Sequence, residues 1–263
     1  MPTGAGDPMR PSSVTYKSIV AYDGTEFEGF QRQKQGIRTV QASLEAALAE
    51  LGWRESSIRA SGRTDRGVHA RGQVISYQLQ WKHGQHVLTR ALNSHLPRDI
   101  AVRETAIAPV DFHPRFSASS RCYRYSCFVD PLRQPLFERY ALHLWQAPNV
   151  ELMRNAARLL IGEHDFRVFG PAPHPEGTTL RTVLHADWSE IKDGWLAFDI
   201  EANAFLQHMV RRIVALLLEI GYERVSRRGL EMLLEDPGAR WQGAMAAPSG
   251  LCLESVRYPS SSD

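Results

Sequence analysis

The hydrophobic and polar positions of this chain follow two periods, one of strands and one of helices, used in turn. Residues 17–22 read as a short strand, which Asp23-Gly24 closes as a turn. Val40, Leu44, Ala47, Leu48 and Leu51 then recur at helical spacing, with Thr39 placed as N-cap and Gly52 as stop. Residues 58–61 and 73–79 predict strands on either side of a glycine-punctuated stretch, GRTDRGVHARG. Val87, Leu88, Ala91 and Leu92 mark a short helix that stops at Leu96-Pro97, and residues 100–107 a further strand.

The same grammar returns downstream. Residues 121–129 alternate as a strand, with Tyr123, Tyr125 and Cys127 on one face. Val150, Met153, Ala157 and Leu160 predict a helix face that ends at Gly162. Residues 180–191 and 195–202 pair as strands about an Asp193-Gly194 turn. A strong helix is predicted over 205–220, stopped by Gly221, then a short helix over 228–234 and a last strand over 252–258. Strand–helix–strand–strand–helix–strand, written twice, predicts an α+β fold of two ferredoxin-like halves, 15–118 and 119–258, whose sheets join into one antiparallel sheet. A parallel doubly wound sheet is the alternative. The hairpin at Asp193-Gly194 and the absence of a GxGxxG loop after the first strand favour the antiparallel arrangement. Residues 1–14 and 259–263 are rich in Pro, Gly and Ser and are expected to be disordered tails.

Composition narrows the class only a little. A hydrophobic share of 43% and a charged share of 23% are those of a soluble globular protein. No apolar run is long enough for a membrane span, and the N-terminal stretch lacks the layout of a signal peptide, so a cytoplasmic protein is expected. Three cysteines with no CxxC pair argue against a disulfide framework or a zinc site, and no metal or cofactor is expected. The net charge of +2 says little about partners, but arginine far outnumbers lysine near the aromatic and glycine-rich segments. A planar guanidinium suits phosphates and base edges; a genome biased toward arginine codons would leave the same trace.

Candidate chemistry concentrates in GRTDRGVHA. Asp65 lies between Gly62 and Gly67, which allow a sharp turn and close approach, and is flanked by Arg63 and Arg66. A carboxylate beside guanidinium groups stays ionised when partly desolvated, as a nucleophile or base must. An ordinary turn aspartate has the same local sequence. On the 205–220 helix, Arg211 projects roughly opposite the face of Phe205, Met209, Ile213, Leu216, Leu217 and Ile220, aimed either at solvent or into a cleft. Arg212 lies nearer the apolar flank. His69 and His208 have no ligand partners at metal spacing and read as hydrogen-bonding scaffold groups.

The segments YDGTEFEGFQRQ, ASGRTDRGVHARGQV, LNSHLPRDIAV, DFHPRFSASSRCYRYSCF, LLIGEHDF and ANAFLQHMVRRIV occur in this order. Together they resemble the TruA family of tRNA pseudouridine synthases from about Tyr16 to Tyr258, with GRTDxGVHAxGQ and FxxHMVRxI the most specific matches. The resemblance implies isomerisation of uridine to pseudouridine in the tRNA anticodon arm, at positions 38 to 40, by a homodimer that needs no cofactor or metal. It implies that Asp65 is the essential aspartate, that Arg211 pairs with it, and that Tyr123 stacks on the target uracil and serves in proton transfer. It gives Arg63 a part in extruding the base. Gln31, Arg32 and Gln33, with His113 and Arg115, are the loop residues expected to face RNA. One position departs from the family: a small residue is usual where this chain has Arg66, which adds charge beside the aspartate. Two other functions fit parts of the same residues: a non-catalytic RNA-binding module with exposed sheet aromatics, and a hydrolase pairing Asp65 with His69.

Overall fold

A computed structural model describes residues 13–236 and 238–259. The expected tails at 1–12 and 260–263 lie outside the described residues. Val14, counted with the first tail, already belongs to a strand.

The first half runs β1 (Val14–Tyr22), α1 (Val40–Glu50), β2 (Arg59–Ala60), β3 (His69–Leu79), α2 (Gln85–His95) and β4 (Ile100–Ile107). The second runs β5 (Ser120–Val129), α3 (Pro135–Glu138), β6 (Leu142–Leu144), α4 (Val150–Ala157), β7 (Gly162–Asp165), β8 (Leu180–Lys192), β9 (Trp195–Ala202), α5 (Met209–Gly221), α6 (Arg227–Glu235) and β10 (Leu251–Arg257). All ten strands form one open sheet, in the order β4-β1-β3-β10-β5-β9-β8-β7, with β2 added on β3 and β6 on β5.

Local signals explain most of this. The Thr39 side chain accepts from the Ala42 amide and starts α1, and Leu44, Ala47 and Leu48 bury its inner face. The β8–β9 hairpin turns through Asp193 and Gly194, both at positive φ, as a tight antiparallel hairpin requires. β3 and β8 run longer than their apolar cores suggested, and β6, β7 and α3 are too short to leave a periodic trace.

Two features depart from expectation. The sheet is not antiparallel throughout: β3 and β10 run parallel, paired at Cys252↔His69 and Leu253↔Ala70, and β5 and β6 are parallel as well. β3 and β10 are distant in sequence, so no turn between them sets their direction. β2 pairs with the far end of β3, at Ser76 and Ile75, which leaves the His69 end open to β10. At this seam a Cβ on Gly72 would stand 2.3 Å from the Glu254 carbonyl oxygen, so only glycine permits the approach. The second departure is the start of α5, at Met209 and not at Phe205. His208 takes φ 63, which breaks the helix that the Phe205–Met209 spacing suggested.

Apolar side chains gather into two clusters, one per half. Val20, Leu44, Leu48, Ile75, Leu88 and Leu92 belong to the first; Trp188, Phe198, Phe166, Met153, Ile213 and Leu217 belong to the second. Tyr123 packs against both. Val68 comes from the first half yet lies in the second-half cluster, 2% exposed.

Candidate active site

The loop between β2 and β3 carries Asp65, and nearly every residue around it is tied down. The Ser61 amide donates to the Val74 carbonyl at 2.8 Å, and its hydroxyl to Gln73 Oε1 at 2.6 Å. Fully buried Gln73 returns its amide to the Gly62 carbonyl at 3.1 Å. The Thr64 hydroxyl bonds with the Tyr22 hydroxyl at 2.8 Å, while the Thr64 carbonyl accepts from the Phe30 amide. The Val68 amide closes a turn onto the Asp65 carbonyl at 3.2 Å, and its side chain is sunk in the opposite core. Burial of a valine stabilises by about 1.5–3 kcal/mol, so the loop is anchored from both halves.

Asp65 projects from this frame, 27% exposed, toward the first turn of α5. Arg211 Nη1 donates to Asp65 Oδ2 at 3.2 Å. Arg211 is itself fixed: Nε donates to the Ala246 carbonyl at 2.8 Å, and the Ala246 amide donates back to the Arg211 carbonyl. At 12% exposure this arginine faces the cleft and not the solvent. His208 Nε2 stands 3.5 Å from the other carboxylate oxygen, Oδ1. The carboxylate thus faces the start of a helix and a guanidinium, the two groups nearest its oxygens being His208 and Arg211. The cavity over these groups holds about 490 Å³, and Thr25, Arg66, Pro248 and Ser249 complete its walls with Gly67. That size lies within the roughly 300–1,000 Å³ of small-ligand pockets.

Arg66 does not compete for Asp65. Its side chain is 74% exposed and pairs with Glu28 at 3.3 Å. Arg212 turns away too, donating to the Phe169 carbonyl.

Tyr123 lies on β5, half-buried, with its ring edge-on to Phe205 at 5.1 Å between centroids. It is not part of the cavity wall around Asp65. Burial pushes its hydroxyl above the usual phenol range, and the neighbouring Tyr22 and Asp65 charges add to the rise. The group therefore stays protonated near neutral pH. Arg63 is exposed and makes no hydrogen bond or ion pair among the described residues.

The remaining loop residues divide. Gln31 is exposed. Arg32 donates to buried Glu45 and to the Ser56 carbonyl, and Gln33 Nε2 to the Glu28 carbonyl. His113 Nδ1 accepts from the Arg115 amide, and its ring lies 4.3 Å from that of Phe116. Desolvation and the Arg59 and Arg115 charges lower the His113 pKa, and Arg115 itself is exposed. None of these five lines the cavity.

Residues that the sequence reading did not single out support the site. Arg121 donates to the Ser61, Arg115 and Asn203 carbonyls, strapping the start of the Asp65 loop to the second half. Asp23 accepts from Thr25, from Arg139 Nε at 2.7 Å and from the Tyr140 hydroxyl at 2.9 Å. Burial alone would raise its carboxyl, but those hydrogen bonds outweigh it and hold the pKa at about 2. His69 faces this group: Nδ1 accepts from the Gly24 amide at 3.1 Å and lies 3.2 Å from Asp23 Oδ1. Desolvation keeps its pKa low. His69 thus faces Asp23 and the Gly24 amide, and an Asp65–His69 hydrolytic pair is not formed. Among the described residues no group of three or more His, Cys, Asp or Glu is placed to hold a metal, and no helix is long and apolar enough to cross a membrane.

Comparison with known proteins points one way. The profile of a family described as tRNA pseudouridine synthase matches residues 19–117 and 156–259. A tRNA pseudouridine synthase A of Geobacter sp. (strain M21) is 40% identical over 245 residues, covering 92% of this chain and 98% of the relative. One from Methylacidiphilum infernorum is 40% identical over 253 residues, 95% and 98% respectively. One from Chloroflexus aurantiacus is 42% identical over 253 residues, 93% and 89%.

Proposed function

The chain belongs to the tRNA pseudouridine synthase family and is an isomerase that acts on tRNA; from this we propose that Asp65 is its reacting carboxylate and that its targets are uridines 38 to 40 of the anticodon arm. The single observation that carries the assignment is the Asp65–Arg211 contact at 3.2 Å over the floor of the cleft.

The reaction detaches uracil at N1, turns the ring and rejoins it through C5, with loss of the C5 proton. It moves no electrons to an acceptor and transfers no phosphoryl group. An ionised carboxylate serves as nucleophile or as the counter-charge for the detached sugar. Arg211 orients that carboxylate through its hydrogen bond to Oδ2. Tyr123 stacks on the uracil, and its hydroxyl, kept protonated by burial, relays a proton by giving up its own as it takes one. Arg63, exposed and without a hydrogen bond or ion pair among the described residues, fills the space left when the base leaves the stem. Gln31, Gln33, His113 and Arg115 contact the RNA outside the cavity, and Arg32 contributes through the part of its side chain that Glu45 leaves exposed.

The strand orders β4-β1-β3-β2 and β10-β5-β9-β8 repeat one antiparallel pattern, which supports two ferredoxin-like halves split near residue 118. The protein works as a cytoplasmic homodimer in this reading.

Tritium release from tRNA labelled at uridine C5 tests the assignment. Wild-type release that vanishes in Asp65→Asn, with tRNA binding retained, is expected. Equal release from both proteins would remove Asp65 from the chemistry. Release that maps outside the anticodon arm would overturn the target assignment alone.

A further inference from the structure

His208 is a residue for which the fold itself gives no reason. It precedes α5 with φ 63 and ψ 3, a left-handed conformation uncommon for residues other than glycine, though Asn, Asp and His adopt it more often than the rest. It occupies the third position of a turn that the Met209 amide closes onto the Leu206 carbonyl at 3.2 Å. A positive φ at that corner ordinarily selects Gly or Asn. A residue just before a helix can instead be chosen to cap it, yet the His208 side chain makes no capping hydrogen bond. An imidazole here strains the backbone and does nothing for the helix.

What the strained turn achieves is a location. His208 forms part of the cavity wall, and its Nε2 stands 3.5 Å from Asp65 Oδ1. Arg211 holds the other oxygen, Oδ2. A carboxylate tied at one oxygen still turns about its own axis; one approached at both oxygens presents a single orientation to a reacting atom. The neighbouring cations leave Oδ1 to the histidine: Arg66 is paired with Glu28, and Arg212 with the Phe169 carbonyl.

We propose that His208 is a positioning residue, which sets the plane of the Asp65 carboxylate together with Arg211. The proposal rests on Asp65 being the reacting carboxylate. The 3.5 Å separation is longer than a good hydrogen bond, as contacts in a site without its substrate commonly are.

Two substitutions test it. Glycine relieves the strained corner, so His208→Gly melts at or above the wild-type temperature. Its kcat for tritium release falls by about tenfold or more at nearly unchanged KM for tRNA. Asparagine tolerates the same φ and carries an N–H donor, so His208→Asn recovers part of that loss. Wild-type kcat in His208→Gly, a lowered melting temperature, or equal losses in the two variants would each overturn the proposal. Absence of tritium release from the wild-type protein would overturn the reading of Asp65 with it, whereas release that the glycine variant leaves untouched overturns His208 alone.

Discussion

Arg211 and Asp65 meet at 3.2 Å although 146 residues separate them, Arg211 fixed through the Ala246 carbonyl and Asp65 carried on a loop anchored from both halves. The guanidinium has two tasks, since Nε also carries the Ala246 carbonyl. Arg211→Ala is therefore expected to lower kcat on the order of a hundredfold, the usual size of a lost preorganised charge contact. It should also cost about 1.5–3 kcal/mol of stability for the lost charged hydrogen bond. Arg211→Lys keeps the charge but cannot reach both acceptors and should fall between. An unchanged rate in Arg211→Ala, measured by tritium release, would refute the ion pair's role.

Asp23 supplies a pH test. Its pKa of about 2 lies below the ordinary carboxyl value of 3.8, so its contribution is full above pH 4 and is lost as pH falls through about 2. The group is partly solvated, so that contribution is about 1–2 kcal/mol once screening is allowed for. Urea melts at pH 5 and pH 2.5 should show a steeper acid loss in wild type than in Asp23→Asn. Parallel losses would show that the Arg139 and Tyr140 contacts add nothing.

Gly24 is packed against the loop that carries Asp65. A Cβ there would lie 2.0 Å from the Val68 carbonyl oxygen, and backbone, not a flexible side chain, would have to move. Gly24→Ala should destabilise by about 1–3 kcal/mol and lower kcat as the loop shifts. Thermal melts and tritium release read both effects; a stable, fully active variant would mean that the loop yields freely.

Arg66, the departure from the family pattern, spends its charge on Glu28 in an exposed pair worth roughly 0.2–1 kcal/mol. Arg66→Ala should leave kcat within severalfold and weaken tRNA binding, with the slope of log affinity against log salt reduced by about one if a phosphate is its partner. A kcat loss beyond about tenfold at saturating tRNA would instead place its charge on Asp65.

How much of this was readable beforehand follows from the range of each signal. α1 announced itself through Thr39 and its apolar stripe, and β8–β9 through Asp193-Gly194, because caps and turns act over a few residues. The Asp65–Arg211 pairing came from long family segments; periodicity alone left Arg211 pointing either way. The start of α5 was misread because Phe205 and Met209 sit at helical spacing, and only the backbone shows that His208 turns between them. The Asp23–Arg139 tie joins residues 116 apart, and the β3–β10 direction depends on strands still farther apart. No local pattern encodes either.

The place of β10 has a consequence for how the sheet closes. Its residues, 251–257, come after every other strand and helix, yet they lie in the middle of the sheet between β3 and β5. Until this strand is placed, the facing edges of β3 and β5 have no ladder partner between them, so the seam at the centre of the sheet is closed by the strand that comes last in chain order.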